Sequence, residues 1–397
     1  MKIKNLFDLL AGFVVAVLLR LLLPFRRIRF GRLPSHEIGH YATNVEVYLC
    51  ERDAFASNHR RSLDYWYRNP DGPVSNHQLD KMWSRTIRIV SSPVIRYADQ
   101  ISRRLPFGSR FSISHHDRDA HALFDKSLPH LSFEKDEIAQ GERFLENLRR
   151  FPGQKHVCLA VRDGSYKHDQ FDDRDPKRDE YRNNDINNYK EVARTLASEG
   201  YLVFRMGAKV QRPFDVESDG VFDYASNGMR SDFLDVYLSA SCEVFVSSVL
   251  GIDSIAEIFR RPRVLTNYIP IANFGKYGPR DLIIPKQYWN EREERFLKFS
   301  EIVQSPGGLG ACTNSYEYER LGIKLIENTP DEITRATLEL LAMREGRLKL
   351  SPEDENRRDI FWDFYYQLSP APIRSQIMDQ EPNIGLSFLR GNPHWLS

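Results

Sequence analysis

Two hydrophobic regimes divide this chain. Leu9 to Leu19 is an uncharged apolar run, and Leu21–Leu22–Leu23–Pro24–Phe25 extends it past Arg20. The stretch Leu6–Phe25 is interrupted only by Asp8 and Arg20. A helix that crosses a bilayer needs about 20 apolar residues. The stretch therefore predicts a membrane-associated helix, which either spans or lies in the interface. Arg20, near one end, is expected to snorkel toward water. Arg20, Arg26, Arg27, Arg29 and Arg32 outnumber Lys2 and Lys4 on the other side, which favours the cytoplasm for the rest of the chain.

Beyond this stretch the apolar positions follow strand and helix periods in alternation. Ile28–Leu33 reads as a strand, and a helix is expected from about His40 to Leu49. Ser62–Tyr67 reads as a second strand. The run Val74–Val90 reads as a helix with Leu79, Met82, Trp83 and Thr86 on one face. Another helix is expected over Phe133–Arg149, with acids in its first turn and arginines at its end, the order a helix dipole favours. Phe151–Pro152–Gly153–Gln154 reads as a linker.

The second half is cleaner. Val157–Val161 is a strand. Ile186, Tyr189, Val192, Ala193, Leu196 and Ala197 share a helical face that Gly200 ends, and Tyr201–Arg205 is the next strand. A helix over Ser231–Ser241 leads to VFVSSVLGIDSIAEIFRRPRVLTNYIP, which reads as strand, Ser/Gly turn, helix and strand. In that helix Ile252, Ile255, Ala256 and Phe259 fall at i, i+3, i+4 and i+7. A capped helix follows near Thr329, then an aromatic tail expected to pack on the body. Strands alternating with helices imply parallel sheets covered on both faces. The fold class is α/β, with two Rossmann-like domains and an N-terminal membrane-associated helix. The expected boundaries are 1–27 for the anchor and basic flank, 28–152 and 153–350 for the two domains, and 351–397 for the tail.

Composition narrows the function. A chain of 397 residues with 41% hydrophobic and 28% charged residues is globular and long enough for two domains. Its net charge of +1 argues against nucleic acid as a partner. Cys50, Cys158, Cys242 and Cys312 are scattered, without the spacing of a zinc ribbon or a disulfide framework.

Ligands of parallel sheets bind at the carboxyl ends of the strands, so the candidate residues sit after strands. Ser247, Ser248 and Gly251 form the turn that opens the helix with Ser254 and Glu257. Its first amides and dipole suit a phosphate, and Glu257 is placed to reach a ribose hydroxyl. Arg162 and Asp163 follow the strand Val157–Val161, and a guanidinium offers two parallel donors to phosphate oxygens. Arg205 and Gly207 end the next strand. Asp223, Tyr224, Arg230 and Asp232 stand before the helix over Ser231–Ser241, where Ser231 or Asp232 is also a capping candidate. His40, in the first strand–helix turn, has the chemistry of a general base. The string HHDRDAH (115–121) has metal-ligand residue types but no strand to anchor it, and the DxD strings Asp117–Asp119 and Asp173–Asp175 lack a preceding apolar strand. Neither a metal nor a cofactor is expected.

With these segments placed, the chain resembles a family of bacterial glycosyltransferases found with surface-polysaccharide genes. The matching strings are EIGHYATNVEVYL, VCLAVRD with YRNNDINNY, GYLVFRMG, FDYASNGMRSDFLDVYLSASCEVFVSSVLG and RPRVLTNYIP. The strand ending in Arg162 also resembles the H-x-R motif of GDP-fucose-dependent fucosyltransferases, with Ala160 in place of the histidine. The resemblance implies a GT-B-like, metal-independent transferase. Its nucleotide-sugar donor would bind the C-terminal domain and its glycan or lipid-linked acceptor the N-terminal one, at the cytoplasmic face of the inner membrane. Two other classes stay open: a non-catalytic membrane-tethered module that binds nucleotide-sugar or glycan, and a sugar-nucleotide epimerase.

Overall fold

The computed structural model describes residues 3–55, 62–68, 72–164, 175–304, 308–368 and 381–397. The chain divides into two compact units, residues 1–119 with 123–138 and residues 120–122 with 139–397. The division falls inside the helix Lys135–Glu146, earlier than the Phe151–Gln154 turn. Both units are α/β with a parallel sheet.

In the first unit α1 (Ile3–Leu22) leads into β1 (Arg27–Arg32), α2 (Ile38–Ala54), β2 (Ser62–Tyr67), α3 (His77–Thr86), β3 (Ile89–Val90) and α4 (Pro93–Arg104). The three strands pair in parallel in the order β1-β2-β3. Arg29 and Asp64 are cross-strand partners, and the guanidinium meets the carboxylate with two bonds of 2.7 and 2.8 Å. Asn76 caps α3 by accepting from Leu79 N at 2.8 Å, and Leu79, Met82 and Trp83 are buried as the spacing predicts. The helix is shorter than expected. Thr86, Ile87 and Ile89 are β-branched and disfavour helix, so Ile89–Val90 leaves it to pair with Trp66–Tyr67.

Among the described residues no helix is long and apolar enough to cross a membrane. This corrects the spanning alternative. One face of α1 packs on α4, where a Cβ on Gly12 would lie 2.6 Å from Tyr97 Cβ. Glycine is what lets these helices approach so closely. Ala16 and Leu19 are buried in the same seam. The opposite face leaves Phe7, Leu10, Val14, Val17, Leu18 and Leu21 exposed. Arg20 does not snorkel. Its guanidinium turns inward to Ala16 O at 2.7 Å and Ser102 O at 3.3 Å, over the Phe111 ring.

The second unit is built on a seven-stranded sheet whose strands are β4 (His156–Ala160), β5 (Leu202–Arg205), β6 (Val221–Phe222), β7 (Phe245–Ser247), β8 (Arg263–Tyr268), β9 (Asp281–Pro285) and β13 (Asn383–Ile384). The order is β13-β9-β8-β7-β4-β5-β6, with every pair parallel. Apolar runs with no polar alternation, such as Val157–Cys158–Leu159–Ala160, make these strands buried on both faces. The chain runs outward from β4 through β5 to β6, then returns to the other side of β4 as β7. That reversal is a topological switch point, the place where parallel sheets commonly bind ligands.

A smaller antiparallel sheet was not legible as such. Its strands β10 (Gln287–Asn290), β11 (Arg295–Phe296) and β12 (Ile323–Ile326) are ordered β11-β10-β12. The tail supplies the edge strand β13 and a layer of buried rings, with Phe361 4.8 Å from Phe299 and Trp395 5.4 Å from it.

Candidate functional site

The loops after β4 and β7 are laced together at the switch point. Ser248 N donates to Ala160 O at 3.1 Å, and Arg162 N donates to Ser248 Oγ at 2.8 Å. Arg162 and Ser248, both expected here, are thus brought together. The Arg162 side chain is 11% exposed and, among the described residues, reaches one carboxylate, Asp179 Oδ2, at 3.3 Å. Its Nε has no hydrogen-bond partner among the described residues. Arg182 arrives beside it and donates to Val249 O at 3.2 Å. Burial first, and the neighbouring Arg182 next, push the Arg162 guanidinium down to about 10. Arg182 is half-buried, and two neighbouring guanidiniums repel each other, a repulsion that a bound anion would relieve.

Lys286 belongs to the same region and was missed by the sequence reading. Its Nζ donates to Tyr181 O at 3.1 Å and Asn183 O at 2.9 Å, fastening the loop that carries Arg182. Burial lowers its ammonium to about 8. A cavity of about 520 Å³ opens between these loops, lined in part by Asp163, Asn183, Gln211 and Lys286. Asp163 Oδ2 accepts from Gln211 N at 2.5 Å and so holds the loop after β5. A lysine that begins a loop after an apolar strand carries no spacing signal. Only the tertiary fold shows where it points.

The remaining candidates are placed differently from the expectation. The helix that opens after β7 is only Asp253–Ile258, and its approach is already occupied. Asp253 Oδ2 accepts from the Ser247 hydroxyl and from Leu250 N at 3.0 Å, and Ser247 Oγ accepts from Val249 N at 3.0 Å. A carboxylate of the chain itself therefore stands where the phosphate was expected, and Ser247 is fully buried. Gly251 is exposed and Ser254 half-buried. Glu257, expected to reach a ribose, is engaged within the fold. Its carboxylate lies 3.0 Å from Arg263, within a cluster that includes Asp253 and Asp281. Burial raises Glu257 to about 7 against the pull of that arginine.

Arg205 is 1% exposed and bonded to Asp223 at 3.0 Å, with Arg212 O at 3.3 Å. Asp223 also accepts from Phe214 N at 2.9 Å and from the Ser226 hydroxyl. The pair closes the long loop after β5 rather than offering a cation, and Gly207 lies in that loop. Tyr224 is buried, with its hydroxyl 3.0 Å from Asp235 Oδ1. Arg230 bonds Asp235 at 2.7 Å and stands 3.5 Å from Asp232. Asp235 is held up to about 6, chiefly by burial. Ser231 caps the helix Asp232–Ser241 by accepting from Leu234 N at 3.1 Å, so of the two capping candidates it is Ser231 that takes the role.

In the first unit His40 lies in the first turn of α2, with its side chain 47% exposed and Nε2 3.5 Å from Glu37 Oε2. Its Nδ1 is 3.3 Å from Asn44 Oδ1, and Asn44 Nδ2 is 3.0 Å from His115 Nδ1. The string HHDRDAH is thus distributed over separate tasks. His115 joins Asn44, His116 Nε2 meets Glu51 at 3.1 Å, and Asp119 accepts from Leu123 N and Phe124 N at 2.9 and 2.8 Å. Asp173 of the other DxD string lies outside the described residues.

Among the described residues one group has the make-up to hold a metal ion, Glu46, Cys50 and His130. Cys50 Sγ is 3.8 Å from Glu46 Oε1 and 4.0 Å from His130 Nδ1, and that nitrogen is 3.2 Å from Glu46 Oε2. The group is also satisfied as an ion-pair cluster, because His130 Nε2 meets Asp53 at 3.1 Å and its backbone N faces the Glu46 carboxylate. The i, i+4 spacing of Glu46 and Cys50 on α2 was visible in sequence, but the arrival of His130 was not.

No family model matches this chain, and no curated protein does. Among solved structures it is similar to the E. coli ADP-heptose LPS heptosyltransferase II, at 12% identity over 81% of this chain and 100% of that one, with a TM-score of 0.44. It is also similar to a glycosyl transferase family 9 protein from Veillonella parvula, at 10% identity over 66% of this chain and 86% of that one, TM-score 0.43. The E. coli heptosyltransferase WaaC with ADP-2-deoxy-2-fluoro heptose aligns at 13% identity over 64% and 92%, TM-score 0.31. At these scores the matches are likenesses only, and no residue role is transferred from them.

Proposed function

We propose that this chain is a glycosyltransferase of GT-B-like organisation, moving a sugar from a nucleotide-sugar to a glycan or lipid-linked acceptor in bacterial surface-polysaccharide synthesis. The observation that carries the reading is the Arg162–Arg182 pair beside the β4/β7 switch point, two neighbouring guanidiniums for which Asp179 is the one carboxylate partner among the described residues. A diphosphate supplies the missing negative charge and accepts parallel N–H bonds. In the reaction an acceptor hydroxyl attacks the anomeric carbon, and the bond from that carbon to the diphosphate breaks. The leaving oxygen takes the electron pair and is stabilised by the two arginines. The hydroxyl proton needs a base, and His40 of the first unit has the chemistry for that role. Because the cations stand in for a metal, turnover is expected to persist in excess EDTA. Loss restored by magnesium or manganese would refute that.

The test is a panel of nucleoside diphosphates and nucleotide-sugars scored by thermal shift and by transfer. Arg162→Ala or Arg182→Ala is expected to cost about 1.5–3 kcal/mol of donor binding, the usual value for a charged hydrogen bond. Binding and turnover unchanged in both variants would remove the diphosphate reading. Donor binding without transfer or hydrolysis would favour the non-catalytic binder.

The same reading places the enzyme at the cytoplasmic face of the membrane, held in the interface by α1. Phe25, 81% exposed, and Phe107, 68% exposed, add to its exposed apolar residues, with exposed Arg26, Arg103, Arg104 and Arg110 nearby in sequence. Apolar rings beside arginines suit an anionic lipid surface. Full-length protein is expected to float with vesicles containing anionic lipid and to do so less after Phe25→Ser with Phe107→Ser. Flotation indifferent to these changes would count against it.

A further inference from the structure

A chain of hydrogen bonds leads from the sheet of the first unit to the ring of His40. His115 Nε2 lies 2.9 Å from Arg32 O, the last residue of β1. A carbonyl only accepts, so Nε2 carries the proton. Burial holds the His115 imidazole below its ordinary value, which keeps the ring neutral and leaves Nδ1 a bare acceptor. That acceptor takes the amide hydrogen of Asn44 Nδ2 at 3.0 Å. The amide is thereby oriented with Oδ1 toward His40 Nδ1, 3.3 Å away and one helical turn back along α2. An amide oxygen only accepts, so His40 Nδ1 must donate. The lone pair is then left on His40 Nε2, the end of a ring whose side chain is 47% exposed.

We infer that Asn44 and His115 are positioning residues that fix His40 in the Nδ1–H tautomer, with Nε2 presented as the proton acceptor. This rests on the assignment of His40 as the base in the proposed function. The geometry is over-determined in the way a positioned base requires. Asn44 is 8% exposed, and the His115 ring lies 5.5 Å from that of Trp66, itself 1% exposed. Neither ring of the relay can turn without orphaning a buried amide. Glu37 Oε2, 3.5 Å from His40 Nε2, stands where it can stabilise the imidazolium that proton transfer creates. The other charged groups that face the pair are His36, 3.8 Å from Glu37, and Arg103 and His116, which act on His115.

The tautomer is directly observable. In full-length protein labelled with ¹⁵N-histidine, imidazole ¹H–¹⁵N correlation spectra assigned with His40→Ala and His115→Gln are expected to show Nδ1–H for His40 and Nε2–H for His115. Asn44→Leu removes both bonds and should release His40 to the Nε2–H form, with a loss of kcat of roughly 10–100-fold, the scale for a group that orients a functional histidine. Asn44→Asp keeps an acceptor for His40 Nδ1–H but not the donor to His115. It should hold the His40 tautomer and move the acidic limb of the pH–rate profile to higher pH, since a carboxylate favours the imidazolium. An Nε2–H His40 in the parent protein overturns the inference. So does an Asn44→Leu variant that only melts earlier, with tautomer and pH profile intact. Full turnover in His40→Ala removes the base assignment instead, and is told apart because the parent tautomers would still be as stated.

Discussion

Arg162 and Arg205 end neighbouring parallel strands, and in the sequence they carry the same signal, an arginine closing an apolar run. Their surroundings differ in kind. Arg205 is sealed against Asp223, and that carboxylate is further held by Phe214 N and Ser226. Arg162 has one long contact to Asp179 and a second arginine for a neighbour. The loop after β5 brings its own anion back to the strand end. The loop after β4 brings back a half-buried carboxylate, Asp179, together with a second cation, Arg182. A strand-end arginine is therefore a fastener or a ligand group according to what the following loop returns to it.

The largest way to break this comparison is at the fastener. Arg205→Ala leaves Asp223 largely buried without its cation, and losing one partner of a buried pair costs about 3–5 kcal/mol. A denaturant titration should show that loss, with donor affinity per folded molecule little changed. If Arg205→Ala instead spares stability and abolishes donor binding, the two arginines share one role.

The opposite end of β4 sets the next scale. His156 is buried with Nε2 3.0 Å from Leu238 O, and burial lowers it from 6.5 to about 4. A histidine depressed in the folded state is neutral there, so its contribution is intact above pH 6.5 and lost as pH falls toward 4. At about 1.36 kcal/mol per unit the loss is on the order of 3 kcal/mol. His156→Gln should remove that part of the acid sensitivity. An unchanged pH–stability curve would mean the imidazole does not titrate against folding.

The smallest effect sharpens the ligand side. Arg162→Ala should leave the melting temperature of unliganded protein unchanged or slightly raised, because removing one of two adjacent guanidiniums relieves repulsion. The same variant should lose the stabilisation that a saturating nucleoside diphosphate confers. A marked fall in unliganded stability would make Arg162 a fastener like Arg205.

Much of the element order was open to reading because it follows from local chemistry. Apolar runs such as Val157–Ala160 have no stable place but a strand buried on both faces, and Asn76, Ser231 and Thr329 mark helix starts by satisfying backbone amides. The placement of Arg162 and Ser248 at strand ends was equally local. Competition for the same donors was not. Ser247, Gly251 and Ser254 read as a phosphate cradle from their spacing, yet Asp253, one residue before Ser254, takes the serine hydroxyl and the Leu250 amide. Glu257 shared a helix with that turn, but Arg263 on the next strand claims its carboxylate.

What the sequence determined by itself was thus the period of each segment, its caps and which residue types stand after each strand, since these depend on neighbours a few positions away. Which of those residues are spent on the fold and which are left over for a ligand was decided only by the tertiary structure. Charge and hydrogen bonding are satisfied by proximity in space. Asp223 lies 18 positions from Arg205 and Arg182 comes back to Arg162 from farther along the same connection, while His115 reaches Asn44 across 71 positions. A buried polar group takes the nearest partner the fold supplies, and that partner's identity is not written in the residues beside it.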